Sequence, residues 1–290
     1  MIEEMEFRGK KYLYEIYGHG DFPPLVYIGG AFQTISNLRP ISQGLQAFGS
    51  VVVLDLPGFG NADLLEAGYC FDFYTDLLID FFRRKQLNRV GLVGASYGSV
   101  IANQFACFAP DMVESLVLAG TMKSIPSCQK PIIQESIRQL EDGCIGDFAQ
   151  TAVRVLMNHD HCDRIIRFQE IKKMMIRSLR RLTIQDQQKY IQNTKRLLKL
   201  DNTRVTAPTC QSLLFTGEYD TFTTPGYCFE LAEDFTNARI VTVDSSDHLV
   251  HLQQLHTAVN LCASVHYSIP LSSIPNIKEI TRAKAEAKAD

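Results

Sequence analysis

Val90-Gly91-Leu92-Val93-Gly94-Ala95-Ser96-Tyr97-Gly98-Ser99 is the stretch that decides the fold. Val90–Gly94 is a short apolar run of strand type. Tyr97–Phe108 is a run of small and apolar residues that reads as a helix. Between them Gly94-Ala95-Ser96-Tyr97-Gly98 spells G-x-S-x-G. In a strand-to-helix context this is a tight, strained turn whose glycines let neighbouring backbone approach closely and whose serine stands clear of the sheet. The N–H of Tyr97, at the start of the helix, can donate to a developing oxyanion. A Gly-rich turn between strand and helix is common in itself. The strand before and the helix after give this one its chemical reading.

Strand and helix signals alternate on both sides of it. Residues 5–17 read as a hairpin, and Leu25-Val26-Tyr27-Ile28 and Val51-Val52-Val53-Leu54 read as strands buried on both faces. A helix is expected from Ser36 to about Ala47, and another from Asp72 to Lys85 with apolar residues at helical spacing. Val113–Ala119 is a further strand. Such alternation builds βαβ units and a parallel sheet. Residues 125–203 interrupt it with helices only, expected over Pro131–Leu140, Ile145–Met157, Asp163–Arg181 and Gln185–Leu200. Strands resume at Gln211–Thr216 and Arg239–Val243, followed by helices over Pro225–Phe235 and Val250–His266. The tail Lys278–Asp290 is rich in Ala, Lys and Glu, hence helix-prone without an apolar face.

A nucleophilic serine needs a base, and the base an orienting acid. Of seven histidines, only His248 directly follows a late strand and loop, at the end of the sheet where it can meet Ser96. His251 and His256 fall in the following helix as surface or packing residues. The acid is expected after the preceding strand, in Gly217-Glu218-Tyr219-Asp220-Thr221: Asp220 is the choice, Glu218 the reserve. Asp247 adjoins His248, but sequence neighbours usually point different ways. The loop Gly29-Gly30-Ala31-Phe32-Gln33 is the place for a second oxyanion donor, the N–H of Ala31 or of Phe32.

Ile28-Gly29-Gly30-Ala31, Asp55-Leu56-Pro57-Gly58-Phe59-Gly60, Gly94–Gly98, Gly217–Asp220 with Pro225, and Asp247-His248-Leu249-Val250-His251-Leu252 occur in this order across residues 5–266. Together they resemble the α/β-hydrolase superfamily. The resemblance implies an α/β fold: an eight-stranded, mostly parallel sheet with an all-helical cap after strand six. It divides the chain into a core of residues 1–124 and 204–268, a cap of 125–203, and a flexible tail of 269–290. It implies Ser96 as nucleophile, His248 as base and Asp220 as acid, with Ala31 and Tyr97 as oxyanion donors and no cofactor or metal. One departure is Gly29-Gly30, where the family often has His-Gly. A narrower similarity, in Gly30-Ala31 with Thr34 and Asp220 with Phe222-Thr223-Thr224, is to the acyltransferase that joins 3-hydroxyacyl units in rhamnolipid-precursor synthesis. The expected activity is hydrolysis of a carboxylic ester or acyl thioester through an acyl-enzyme. The alternatives are acyl transfer from a carrier-protein or coenzyme A thioester to a hydroxyl acceptor, or a non-catalytic binding protein of the same fold.

Composition bounds the partners. With 290 residues, 46% apolar and 21% charged, the chain is globular. Its net charge of −3 gives no reason to expect nucleic acid or an anionic membrane. Residues 123–204, however, hold 16 basic and 9 acidic residues, and the remainder 13 and 23. The cap is thus a candidate docking surface for an acidic carrier protein or coenzyme A. Cap residues Met157, Phe168, Met174, Met175 and Leu179 are candidates to line an acyl pocket. His159-Asp160-His161-Cys162-Asp163 resembles a metallo-hydrolase motif but lacks the further histidine, since Arg164 stands there. Eight cysteines without a C-x-x-C pair, an acidic N-terminus without an apolar leader, and no apolar run near the roughly 18 residues of a membrane span predict a cytoplasmic protein.

Overall fold

The computed structural model describes residues 1–20, 22–200 and 207–282. The strands are β1 (Ile2–Phe7), β2 (Lys10–Tyr17), β3 (Leu25–Ile28), β4 (Val51–Asp55), β5 (Val90–Ala95), β6 (Val113–Ala119), β7 (Gln211–Gly217), β8 (Ala238–Val243) and β9 (Ile277–Arg282). They form one sheet in the order β1-β2-β4-β3-β5-β6-β7-β8-β9. The six from β4 to β8 in that order run parallel, and β2 and β9 flank them antiparallel.

The unbroken apolar runs are buried because both faces of the sheet are covered. Along β3 and β4, Val26, Ile28, Val52 and Leu54 pack into one apolar cluster. Their neighbours Leu25, Tyr27, Val51 and Val53 pack into another on the opposite side. This is the two-residue alternation of a strand with no solvent face. The first cluster takes in α2 (Asp72–Arg84), α3 (Tyr97–Phe108) and α8 (Pro225–Ala232). The second takes in α1 (Arg39–Leu45) and α10 (Leu255–Ser264).

Among the described residues four α-helices stand between β6 and β7: α4 (Lys130–Glu141), α5 (Ile145–Leu156), α6 (Phe168–Leu179) and α7 (Ile184–Leu197). They share a separate apolar cluster that includes Ile137, Phe148, Val153, Phe168 and Ile191, and that reaches Leu249 beside His248. Among the described residues no helix is long and apolar enough to cross a membrane.

The eight expected strands are all present, and β9 is a ninth. The expectation of a helix-prone segment from Lys278 is corrected over Ile277–Arg282, which pairs with β8; residues 283–290 lie outside the described part. Helix α1 begins at Arg39 with Leu38 at its cap, not Ser36, and Pro40, lacking an N–H, takes its place in the first helical turn. Helix α6 begins five residues later than expected, since Arg167 adopts a left-handed φ of 57° that breaks the helix before it. The helix expected over Val250–His266 is two: α9 (Val250–Gln253) and α10, broken at Gln254. The Gln254 amide donates to Ser246 Oγ (2.8 Å) and to the Asp244 carbonyl.

Candidate active site

Ser96 sits between β5 and α3 with φ 49° and ψ −115°, a conformation that side chains rarely adopt. The flanking glycines allow it. A Cβ on Gly94 would lie 2.5 Å from the Gly98 carbonyl oxygen, and a Cβ on Gly98 would lie 2.3 Å from that of Ile28. Ser96 N–H donates to the Ala119 carbonyl (2.7 Å), and Ser99 Oγ donates to the Ser96 carbonyl (2.6 Å). The turn is therefore tied to β6 and to the first turn of α3. Tyr97 opens that helix, so its N–H has no intrahelical acceptor.

The three residues expected to act together meet. His248 Nε2 lies 3.0 Å from Ser96 Oγ, and His248 Nδ1 lies 2.9 Å from Asp220 Oδ2. Asp220 has no exposed side-chain surface and His248 has 5%. Asp220 is held by more than the imidazole. Its Oδ1 accepts from the N–H groups of Phe222 and Thr223 (both 2.8 Å). Its Oδ2 accepts from the hydroxyls of Thr216 (2.5 Å) and Thr223 (2.6 Å). Burial alone would raise the carboxyl's pKa, but the His248 charge and these hydrogen bonds outweigh it and bring it down to about 2. Burial alone would lower that of His248, but the Asp220 charge and hydrogen bond, with the Asp247 charge, raise it above the usual imidazole value.

The neighbouring acids do other things. Asp247 is 1% exposed and accepts from Leu249 N–H (3.0 Å), Gln253 Nε2 (2.7 Å) and Asn158 N–H (3.3 Å). It thereby fixes the loop that carries His248 and ties it to the segment between α5 and α6. Burial pushes its own pKa up. Glu218 is turned to Lys278 on β9.

A cavity of about 520 Å³ opens over Ser96 and His248. Ala31, Phe32 and Tyr97 line it from the sheet side; Met174, Met175 and Leu179 line it from α6. Met157 and Phe168, expected in the same pocket, instead pack inside the cluster shared by α4–α7. His159 and His161 pack edgewise or tilted against Phe168 and Tyr219.

Four side chains near the site escaped the reading of the sequence. His251, expected at the surface or in packing, lines the cavity, and its Nε2 meets Gln33 Nε2 at 3.0 Å. Burial and the neighbouring His248 charge push its pKa down to about 4. The available signal was its place in the first turn of the helix that directly follows His248. Gln33 carried no signal beyond its place in the loop. Arg196 of α7, counted above as part of a basic surface, is 2% exposed. Its guanidinium donates to the carbonyls of Leu65, Glu66 and Tyr69, to Asn193 Oδ1, and to the hydroxyls of Tyr74 and Tyr97. Lys189 is likewise turned inward, donating to the Gly60 carbonyl (2.8 Å).

Comparison with known proteins agrees with the fold. Residues 23–160 match a family model described as the alpha/beta hydrolase fold. The whole chain has the α/β-hydrolase fold, and its residues 23–160 match that family. It is similar to an (E)-2-((N-methylformamido)methylene)succinate hydrolase of Acinetobacter baylyi, at 29% identity over 41% of this chain and 47% of that protein. It is also similar to a pimeloyl-[acyl-carrier protein] methyl ester esterase of Aeromonas salmonicida, at 28% identity over 49% of this chain and 55% of that one. The match thus spans about half the length of these relatives. An alpha/beta hydrolase enzyme from a Medee basin deep-sea metagenome library superposes with a TM-score of 0.82 at 19% identity, covering 92% of this chain and 98% of its own.

Proposed function

We propose that the protein is a serine hydrolase that cleaves a carboxylic ester or an acyl thioester through an acyl-enzyme. The observation that carries the reading is the unbroken chain from Ser96 Oγ and His248, which line the cavity, to a buried, ionised Asp220 behind them. His248 Nε2 takes the Ser96 proton as Oγ bonds to the substrate carbonyl carbon. The N–H groups of Tyr97 and Ala31 hold the resulting oxyanion. His248 then gives that proton to the departing alcohol or thiol as its bond to the carbonyl carbon breaks. Water, deprotonated by the same imidazole, releases the carboxylic acid and restores Ser96. Asp220 keeps the proton of the resting imidazole on Nδ1 and stabilises its cation.

In this reading α4–α7 act as a cap, and the apolar side chains of α6 meet the acyl group. The hydrolase and esterase activities in the names of the two relatives lend the reading support. A second reading is acyl transfer from a carrier-linked thioester, with water replaced by an acceptor hydroxyl. What favours it is α6, where Met174 and Ser178 line the cavity and Arg177 is exposed one turn from Met174, with Arg180 and Arg181 exposed in the turn that follows the helix. Labelling with a fluorophosphonate tests the primary reading. The wild type takes up one label and Ser96→Ala takes up none. A wild type that takes up no label speaks for a binding protein instead.

A further inference from the structure

The loop that would supply the second oxyanion donor is held by one residue, through both its backbone and its side chain. Gln33 N–H donates to the Gly30 carbonyl (3.0 Å), and Gln33 Oε1 accepts from Gly30 N–H (2.7 Å). The Gly29–Gly30 peptide is thus bonded to the Gln33 side chain, and the Gly30–Ala31 peptide to the Gln33 backbone. The consequence falls on Ala31. Across a planar trans peptide the N–H of Ala31 points opposite to the Gly30 carbonyl. Fixing that carbonyl on Gln33 fixes the direction of the Ala31 N–H. The loop also lies against the nucleophile, since a Cβ on Gly30 would stand 3.2 Å from Ser96 Cβ. It can approach Gln33 because Gly29 is bare: a Cβ there would lie 2.9 Å from Gln33 Cβ.

These bonds also settle the orientation of the Gln33 amide and the tautomer of His251. A backbone N–H can only donate, so the oxygen of the Gln33 amide faces Gly30 and its nitrogen faces His251. An amide nitrogen can only donate, so His251 Nε2, 3.0 Å away, accepts and the imidazole proton sits on Nδ1. That arrangement needs a neutral His251, in keeping with its depressed pKa. His251 lies on α9, one turn after His248. The short helix that follows the base therefore also clamps the oxyanion loop.

We infer that Gln33 and His251 are positioning residues of the oxyanion hole: the Gln33 side chain, oriented by His251, anchors the Gly29–Gly30 peptide, and this anchor keeps the Gly30 carbonyl on the Gln33 backbone N–H and the Ala31 N–H in its donating orientation beside Ser96. The inference rests on the serine reading proposed above. It makes the two residues one unit, because His251 acts only through Gln33.

The test uses the full chain, hydrolysis of p-nitrophenyl butyrate, and an octyl trifluoromethyl ketone, which forms a tetrahedral adduct with an active serine. Losing an oxyanion donor outright costs about 100- to 1000-fold in kcat, so losing its positioning should cost about 10- to 100-fold. Gln33→Leu is expected to lower kcat by that factor, weaken the ketone adduct equally, and leave KM within about threefold. His251→Phe keeps the ring but removes the acceptor, and should lower kcat about 3- to 10-fold by the same route. The double variant should be no worse than Gln33→Leu alone. His251→Gln, which restores an acceptor, should recover most of the loss. If Gln33→Leu does not fold, the contrast of His251→Phe with His251→Gln makes the same comparison. Unchanged kcat and ketone affinity, a loss confined to KM, or losses that multiply in the double variant overturn the inference while leaving the serine reading intact. A wild type that neither hydrolyses the ester nor binds the ketone overturns both.

Discussion

Replacing Asp220 by Asn changes one atom and should nearly abolish activity, for a reason the hydrogen bonds spell out. Oδ1 accepts from two backbone N–H groups, which cannot rotate away. Oδ2 accepts from two hydroxyls, which can, and from the His248 ring. An Asn amide therefore keeps its oxygen on Phe222 and Thr223 and presents its NH2 group to His248. A donor facing Nδ1 moves the imidazole proton to Nε2, where it points at Ser96 Oγ. The ring can then no longer take the serine proton. Loss of the correct tautomer costs about 10⁴-fold in kcat where geometry is otherwise kept, and about that factor is expected here. The assay is steady-state hydrolysis of p-nitrophenyl butyrate, with a thermal melt to show that the variant is folded. A folded Asp220→Asn protein within tenfold of the wild type would refute the reasoning.

Other outcomes follow from the same contacts. The rate of ester hydrolysis should rise with pH through an apparent pKa above 6.5, because the base must be neutral and Asp220 holds its proton more tightly; a limb below 6.5 contradicts this. The ionised Asp220 should stabilise the fold by about 2 kcal/mol above pH 4, a contribution lost as pH falls toward 2, measurable by urea unfolding across that range. Its sign follows from a folded pKa below the unfolded one. Arg196→Met should lower stability by about 3 kcal/mol, since it leaves three buried carbonyls without their charged donor, and the urea midpoint reports it. Reversing Arg180 and Arg181 to Glu should raise KM about tenfold for a carrier-linked thioester and leave a small ester unaffected; equal effects on both would remove the docking idea.

Much of this was legible because it is local. A continuous apolar run such as Val51–Leu54 can only be buried on both faces, and the order Ser96, Asp220, His248 follows the order of the strands that carry them. What escaped depends on partners distant in sequence. Lys278, Glu279 and Thr281 read as a polar tail, yet β8 offers a free edge whose backbone groups they satisfy. A count of charges does not reveal that Arg196 points inward onto carbonyls some 130 residues away. Nor does composition reveal that Gln33 and His251, 218 residues apart, meet at the serine's side. The break at Gln254 likewise falls where its side chain bonds the Ser246 hydroxyl and the Asp244 carbonyl, with no Gly or Pro there to mark it.

The central claim is that Ser96 carries the acyl group during turnover. Intact mass spectrometry after brief mixing with a panel of acyl esters and thioesters, followed by peptide mapping, tests it directly. The account predicts a mass increase equal to one acyl group, located on the peptide containing Ser96, enriched when His248→Ala is used to slow deacylation, and absent in Ser96→Ala. Turnover of an ester with no acyl adduct under any of these conditions, or an adduct that persists in Ser96→Ala, would contradict it.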